Sequence, residues 1–138
     1  MNDIKKITII GFLSYLYDIC KDDYYKHCIT DINIQVSLLL HHIFNIYTQF
    51  GWLSNNKYIL FSYLLIPIGV LIHWRNNNNK CVYTQIVNKH CNIPKDNLFR
   101  DIWYLLGIKK LKNYDQIHET YLIIVWFITL IKLFKSVP

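Results

Sequence analysis

The chain has 138 residues, of which 53% are hydrophobic and 17% charged, with a formal net charge of +6. Soluble domains carry about 25% charged residues, and here the apolar residues fall in runs, so an ordinary soluble domain is excluded and a polytopic membrane protein is expected. The basic residues sit beside the apolar runs, which favours anionic lipid head groups as their partner and argues against nucleic acid.

The first apolar run, Ile7–Tyr17, follows Lys5 and Lys6 and ends at Asp18. It is short for a span, which needs about 20 residues. It has the look of a signal-peptide core, but no small-residue cleavage site follows. It reads as an uncleaved helix over residues 7–20, crossing the bilayer or lying in its interface.

The second run, Ile34–Leu53, carries the most informative pattern. Ser37, His41, Asn45 and Thr48 recur at i, i+4, i+8 and i+11, which places four polar side chains on one helical face. His42, with Gln35 and Gln49 to either side, widens that face. Polar groups at membrane depth are expensive and face a bundle interior or a wet cavity, so this face is a candidate functional site.

A polar turn, Ser54-Asn55-Asn56-Lys57, then forces an antiparallel hairpin with the third run, Tyr58–Trp74. Pro67 should kink that helix and free the Tyr63 carbonyl. Counting back from the turn puts His73 level with residue 38, about 4.5 Å from the level of His41 at 1.5 Å per residue. Two imidazoles at that depth suit a metal, a haem or a proton relay. They equally suit hydrogen bonds that fix helix packing, which is the commoner role.

Residues 75–118 form a polar loop. Asn76–Asn79 reads as a turn, and Cys81–Cys91 has Val82, Ile86 and Val87 at partial helical spacing. After Pro94, the residues Leu98, Phe99, Ile102, Trp103, Leu105 and Leu106 outline a short amphipathic helix over about residues 95–106, with Gly107 as its C-cap. With Lys95, Arg100, Trp103, Lys109 and Lys110, it is expected to lie along the membrane surface or to cap the bundle. The fourth run, Tyr121–Phe134, reads as a helix over residues 120–135, whose Lys132 and Lys135 can snorkel to the interface. Trp52, Trp74 and Trp103, with Tyr47, Tyr58, Tyr104 and Tyr121, lie near the segment ends as an interfacial belt.

The expected fold is therefore a single all-α membrane domain over residues 1–138, a bundle of four transmembrane helices (34–53 and 58–74 being the second and third). Three spans plus an interfacial N-terminal helix is the alternative. If all four cross, one end carries Lys21, Lys26, Arg75, Lys80, Lys89, Lys95, Arg100, Lys109, Lys110 and Lys112, and the other Lys5, Lys6, Lys57, Lys132 and Lys135. The positive-inside rule then places the long loop in the cytoplasm. Cys20, Cys28, Cys81 and Cys91 share that end with His27, His73, His90 and His118. Free thiols, two disulfides (Cys20–Cys28 and Cys81–Cys91) and a metal site all remain open.

The sequence has no phosphate-binding loop, nucleophile elbow, zinc-protease helix or potassium filter. It has no alanine, and few small residues fall in its apolar runs, so packing leans on Ile, Leu and aromatic side chains and on partners. The leading expectation is a non-enzymatic integral membrane protein, a structural or interaction component of a viral, host or organellar membrane, packed against other membrane proteins or its own copies. Two alternatives are a metal-, haem- or redox-dependent membrane enzyme using His41, His73 and nearby cysteines, and a proton or small-ion path along the polar face of the second helix.

The run His73-Trp74-Arg75-Asn76, continuing to Cys81-Val82-Tyr83-Thr84 downstream of His41-His42 and Phe50-Gly51-Trp52, resembles small polytopic membrane proteins of large AT-rich DNA viruses. Abundant Ile, Asn, Lys and Tyr fit an AT-rich genome. More distantly, the region is similar to small bacterial membrane proteins with a helix-borne His and a Cys-Pro-Leu-Thr motif, where Val82 and Tyr83 stand in place of Pro-Leu. The resemblance covers residues 37–88 and implies no reaction. It implies only that His41 or His42, His73, Cys81 and Thr84 form one constellation at one membrane face.

Overall fold

A computed structural model describes residues 3–21, 25, 28, 30–93 and 101–135. Among them every regular element is helical: α1 (Asp3–Lys21), α2 (Ile32–Phe50), α3 (Lys57–Asn76), α4 (Val82–His90), α5 (Ile102–Leu105) and α6 (Tyr114–Lys135). Short 3-10 turns, Gly51–Leu53 and Ile108–Lys110, follow α2 and α5. Lys26, His27, Pro94, Lys95, Leu98, Phe99 and Arg100, and with them most of the amphipathic helix expected before Gly107, lie outside the described residues.

The four long helices match the four apolar runs, with ends shifted outward by capping groups. Asp31 accepts from the Asn33 amide at 2.8 Å and starts α2, and Asn56 accepts from the Tyr58 amide at 2.9 Å and starts α3. An oxygen at this position satisfies one of the orphan amides of a first turn. The last helix begins at Tyr114, six residues before the expected start at 120, so that His118 belongs to α6 and not to a loop. The first helix runs from Asp3 to Lys21, four residues earlier and one residue later than the expected 7–20. Helices α3 and α6 are long and apolar enough to cross a membrane.

The bundle is two antiparallel pairs. In the first, α1 lies on α2: Gly11, Ser14 and Asp18, at i, i+3 and i+7, face α2. In the second, α3 lies on α6, with Arg75 paired to Glu119 at one end and the Trp126 indole donating to the Leu64 carbonyl at 2.8 Å in the middle. Pro67 stays inside a continuous α3, and the carbonyl that finds an outside donor is Leu64, the neighbour of the one that proline should free. The pairs are joined at the Gly51–Asn56 turn. There the Ser54 hydroxyl donates to Asp3 at 2.6 Å, and the Lys132 ammonium donates to the carbonyls of Trp52 at 3.0 Å and Ser54 at 2.7 Å.

The interior is mixed, with Leu38, Leu60, Tyr63, Leu122 and Val125 buried beside polar side chains, and large apolar side chains also cover the outside. Asp18, His42 and Thr129 are 0% exposed and Gln49 is 1% exposed, whereas Leu13 is 58%, Leu65 65% and Phe127 54% exposed. Soluble proteins keep exposed apolar patches small and bury their large aliphatic side chains.

Close approach of α1 to α2 depends on Gly11. A methylene there would lie 2.7 Å from the Ile43 Cα, which is backbone and cannot swing aside. Gly11→Leu is expected to cost about 1–3 kcal/mol, read as a lower thermal midpoint in detergent. Gly69→Leu serves as the tolerated control, because nothing lies within 4 Å of the place its Cβ would take.

Candidate functional site

Helices α2 and α3 touch near their shared turn and then part. Near the turn the Tyr47 hydroxyl donates to the Ile59 carbonyl at 3.1 Å and lies 2.8 Å from the Ser62 hydroxyl, while the Tyr63 hydroxyl donates to the Thr48 carbonyl at 2.5 Å. Further along, the gap between α2 and α3 becomes a cavity of about 440 Å³, walled by α6 and closed at its far end by the start of α4. Its apolar lining includes Phe44, Leu65, Ile66, Val70, Trp74 and Leu122. Its polar lining is His41, Asn45, Thr48, His73, Cys81 and His118.

The stripe read from the sequence thus divides. His41, Asn45 and Thr48 line the cavity and Ser37, one turn further on, does not. His73 reaches the same cavity from α3. His41 Nδ1 lies 3.3 Å from the Thr84 hydroxyl, so Thr84 is held beside the His41, His73 and Cys81 lining. His73 Nε2 lies 3.5 Å from Asn77 Nδ2, a contact at the limit of hydrogen bonding.

His42 points the other way. Its ring is buried between α1 and α2, where the Nε2–H donates to Asp18 Oδ2 at 3.1 Å. In that tautomer Nδ1 accepts from the Ser14 hydroxyl at 2.9 Å. Hydroxyl, imidazole and carboxylate follow one another as in a serine hydrolase, but Ser14 does not line the cavity, and His42 and Asp18 are enclosed in the α1–α2 contact.

A second polar cluster lies behind the cavity. Asn45 Nδ2 donates to Asp101 Oδ2 at 3.2 Å, and Asp101 pairs with Lys109 at 2.9 Å, with 8% of the lysine side chain and 3% of the aspartate exposed. Asp101 also caps α5 by accepting from the Tyr104 amide at 3.0 Å. Burial holds the Lys109 ammonium below the ordinary lysine range, against the opposing pull of Asp101. Gln49 Nε2 lies 2.7 Å from His118 Nε2, and the Tyr114 hydroxyl 3.0 Å from its Nδ1. The His118 ring packs against Trp74 and Trp103, with centroids at 4.8 and 5.3 Å.

This corrects the surface-helix expectation for Trp103 and Lys109. The described part of that helix is the single turn Ile102–Leu105, Trp103 packs inward on His118 and Tyr121, and Lys109 is buried against Asp101. Lys110 remains exposed. An ion pair eight residues apart across a turn at Gly107, whose φ is +74°, leaves no trace in helical periodicity.

The cysteines also differ from the two pairs considered. Cys28 bonds to Cys91, and Cys20 and Cys81 are free thiols. Cys81 and Cys91 flank α4, and ten residues at 1.5 Å per residue hold them about 15 Å apart, too far to bridge. Cys91 instead meets Cys28 because α4 packs on α2. Among the described residues no three His, Cys, Asp or Glu side chains converge as a metal site.

Sequence reasoning missed Ser14, Asp18, Asp101 and Tyr114. The signal for the first two was the Gly11, Ser14, Asp18 spacing, one face of a helix. Comparison with known protein families, curated proteins and solved structures finds no match.

Proposed function

We propose that the chain is an integral membrane protein of four spans, α1, α2, α3 and α6, and that it acts by binding and assembly in the bilayer and not by catalysis. The observation that carries this reading is the apolar outer surface of the long helices, with polar side chains buried between them. Leucine, isoleucine and phenylalanine side chains face outward along all four long helices, while Asp18, His42, Gln49, His118 and Thr129 are buried. Charged and polar groups in a lipid-embedded bundle face its interior and pair with one another. Here they do so between helices, as Ser14–His42–Asp18, Gln49–His118 and Asn45–Asp101–Lys109. Such contacts fix the bundle and leave the outer apolar faces for lipid and for other membrane proteins or a second copy. The alternating direction of the long helices puts residues 3, 54 and 132 at one end and residues 21, 31, 76 and 114 at the other, as four crossings require.

The Cys28–Cys91 bond supports an orientation with its end in an oxidising compartment. This opposes the lysine and arginine count. A charge bias is a tendency of insertion, whereas a lasting disulfide is a chemical condition, so the disulfide carries more weight.

Alkaline carbonate extraction of the expressed full chain tests the reading. Retention in the membrane pellet is expected, and release into the supernatant would falsify it. Orientation is tested by an impermeant maleimide on Cys20, an exposed free thiol. Labelling of intact cells or vesicles from the non-cytoplasmic side is expected. Labelling that needs permeabilisation reverses the assignment.

A further inference from the structure

We propose that α4 is a lid on the far end of the cavity, that the Cys28–Cys91 bond is its latch, and that a dithiol reductant releases it. What the lid controls is access to the polar end of the cavity, where His41, His73 and Cys81 are part of the lining.

The start of α4 forms that end of the cavity. Cys81, Val82 and Tyr83 line it, and the Thr84 hydroxyl, 3.3 Å from His41 Nδ1, holds this first turn against α2. Left-handed residues stand on both sides of the helix. Asn78 and Asn79 precede it with φ of +51° and +57°, and Asn92 follows it with φ of +52°. Asparagine is one of the few residues besides glycine that tolerate this region. Residues at element ends are where a moving segment absorbs its change of φ and ψ.

The grip of α4 on the bundle is slight. It has nine residues, and isolated helices shorter than about 12–15 are marginal in water. Of its side chains Val87 alone is buried, in a cluster with Tyr15, Ile34 and Leu38. Its polar ties include Thr84 to His41, and His90 within 3.5 Å of Asp31, an exposed pair of the kind that contributes little. Segments with few buried contacts open locally while the rest stays folded. The disulfide removes that freedom. It fixes the residue after α4 to Cys28, ahead of α2 and 63 residues back in the chain. With the bond broken, α4 pivots at Asn78 and Asn79, Thr84 leaves His41, and the wall at Val82 and Tyr83 moves off the cavity.

The release is a balanced exchange. Cys28 and Cys91 are both partly exposed, so a small dithiol reaches the bond. One of its thiolates attacks and forms a mixed disulfide, its second thiolate closes a ring, and Cys28 and Cys91 leave as thiols. The bond gains two electrons and two protons, and the dithiol becomes a disulfide.

The full chain in mild detergent tests the inference. Cys20→Ser leaves Cys81 as the one free thiol, and Cys20→Ser with Cys28→Ser and Cys91→Ser leaves it as the one cysteine. Loss of the latch is expected to speed the reaction of Cys81 with N-ethylmaleimide about tenfold or more, as a clamped segment gains local opening. Dithiothreitol applied to Cys20→Ser and then removed is expected to give the same rate at the Cys81 peptide, and reoxidation to reverse it. This second form holds if the triple variant folds poorly. Thr129→Cys, at a position 0% exposed in α6, reports general loosening. In a chain carrying Cys20→Ser and Cys81→Ser it is expected to stay unlabelled with the bond and without it. Equal Cys81 rates with and without the bond, or a Thr129→Cys rate that rises as much as that of Cys81, would each overturn the inference. Carbonate extraction decides the membrane reading and leaves this result untouched.

Discussion

Cys28→Ser is expected to lower the stability of the fold by about 4 kcal/mol, and Cys91→Ser by the same amount. The two cysteines are 63 residues apart, and in the chain-entropy account a bond closing a loop of that length removes a large share of the freedom of the unfolded chain. The loop contains α2, the turn, α3 and all of α4, so the constraint acts on most of the part of the molecule that forms the cavity. Denaturant titration in mild detergent, with and without reductant, measures it. Reduced parent protein and both serine variants should unfold at one midpoint, well below that of the oxidised parent. Cys20→Ser is the control with no expected effect, since that thiol is exposed and unbonded. An oxidised parent that unfolds together with its reduced form would show that the bond is not part of the native molecule.

The second large effect lies at the α1–α2 contact. Asp18→Ala is expected to cost about 3 kcal/mol, because it leaves the fully buried His42 ring without the carboxylate that holds its Nε2–H. Removing both members behaves differently. Asp18→Leu combined with His42→Leu should recover most of the loss, since apolar side chains of similar size replace a buried polar pair at little net cost. The double-mutant cycle on detergent unfolding reads this coupling directly. Additive losses would mean that the two side chains do not act as a pair. Turnover on ester substrates in the parent, abolished by Ser14→Ala, would instead give the Ser14–His42–Asp18 chain a chemical role.

How much of this was legible depends on the range over which each signal acts. The four long helices were legible because apolar runs of that length are local, and the turn before Lys57 was legible because Asn56 is both a turn residue and a cap. The polar face on α2 was legible from its spacing, but Ser37, read as its first member, does not line the cavity while His41, Asn45 and Thr48 do. The partners of that face were not. Asp18 stands at the end of an apolar run, where a charge ordinarily marks the water boundary, and only the approach of α2 at Gly11 turns it inward. Lys109 follows the same logic. Beside Lys110 and Lys112 it looks like one of a basic cluster, and only the fold brings Asp101 to it. The disulfide was open in principle, because four cysteines allow three pairings and local spacing does not choose among them.

The two covalent ties between the halves lie at opposite ends of the bundle. The Gly51–Asn56 turn joins them at one end, and the Cys28–Cys91 bond joins them at the other through α4. Mechanically, α2 and α3 are beams pinned at both ends. A pair joined only by a turn would open like a jaw. Pinned beams can only bow, with the largest displacement in mid-length. In α3 that mid-length is Pro67, where one backbone hydrogen bond is already missing, and Gly69 stands two residues beyond it. The separation of α2 and α3 at mid-length is then set by bending compliance at one proline, and breaking the disulfide would free the two helices to part at the far end as well.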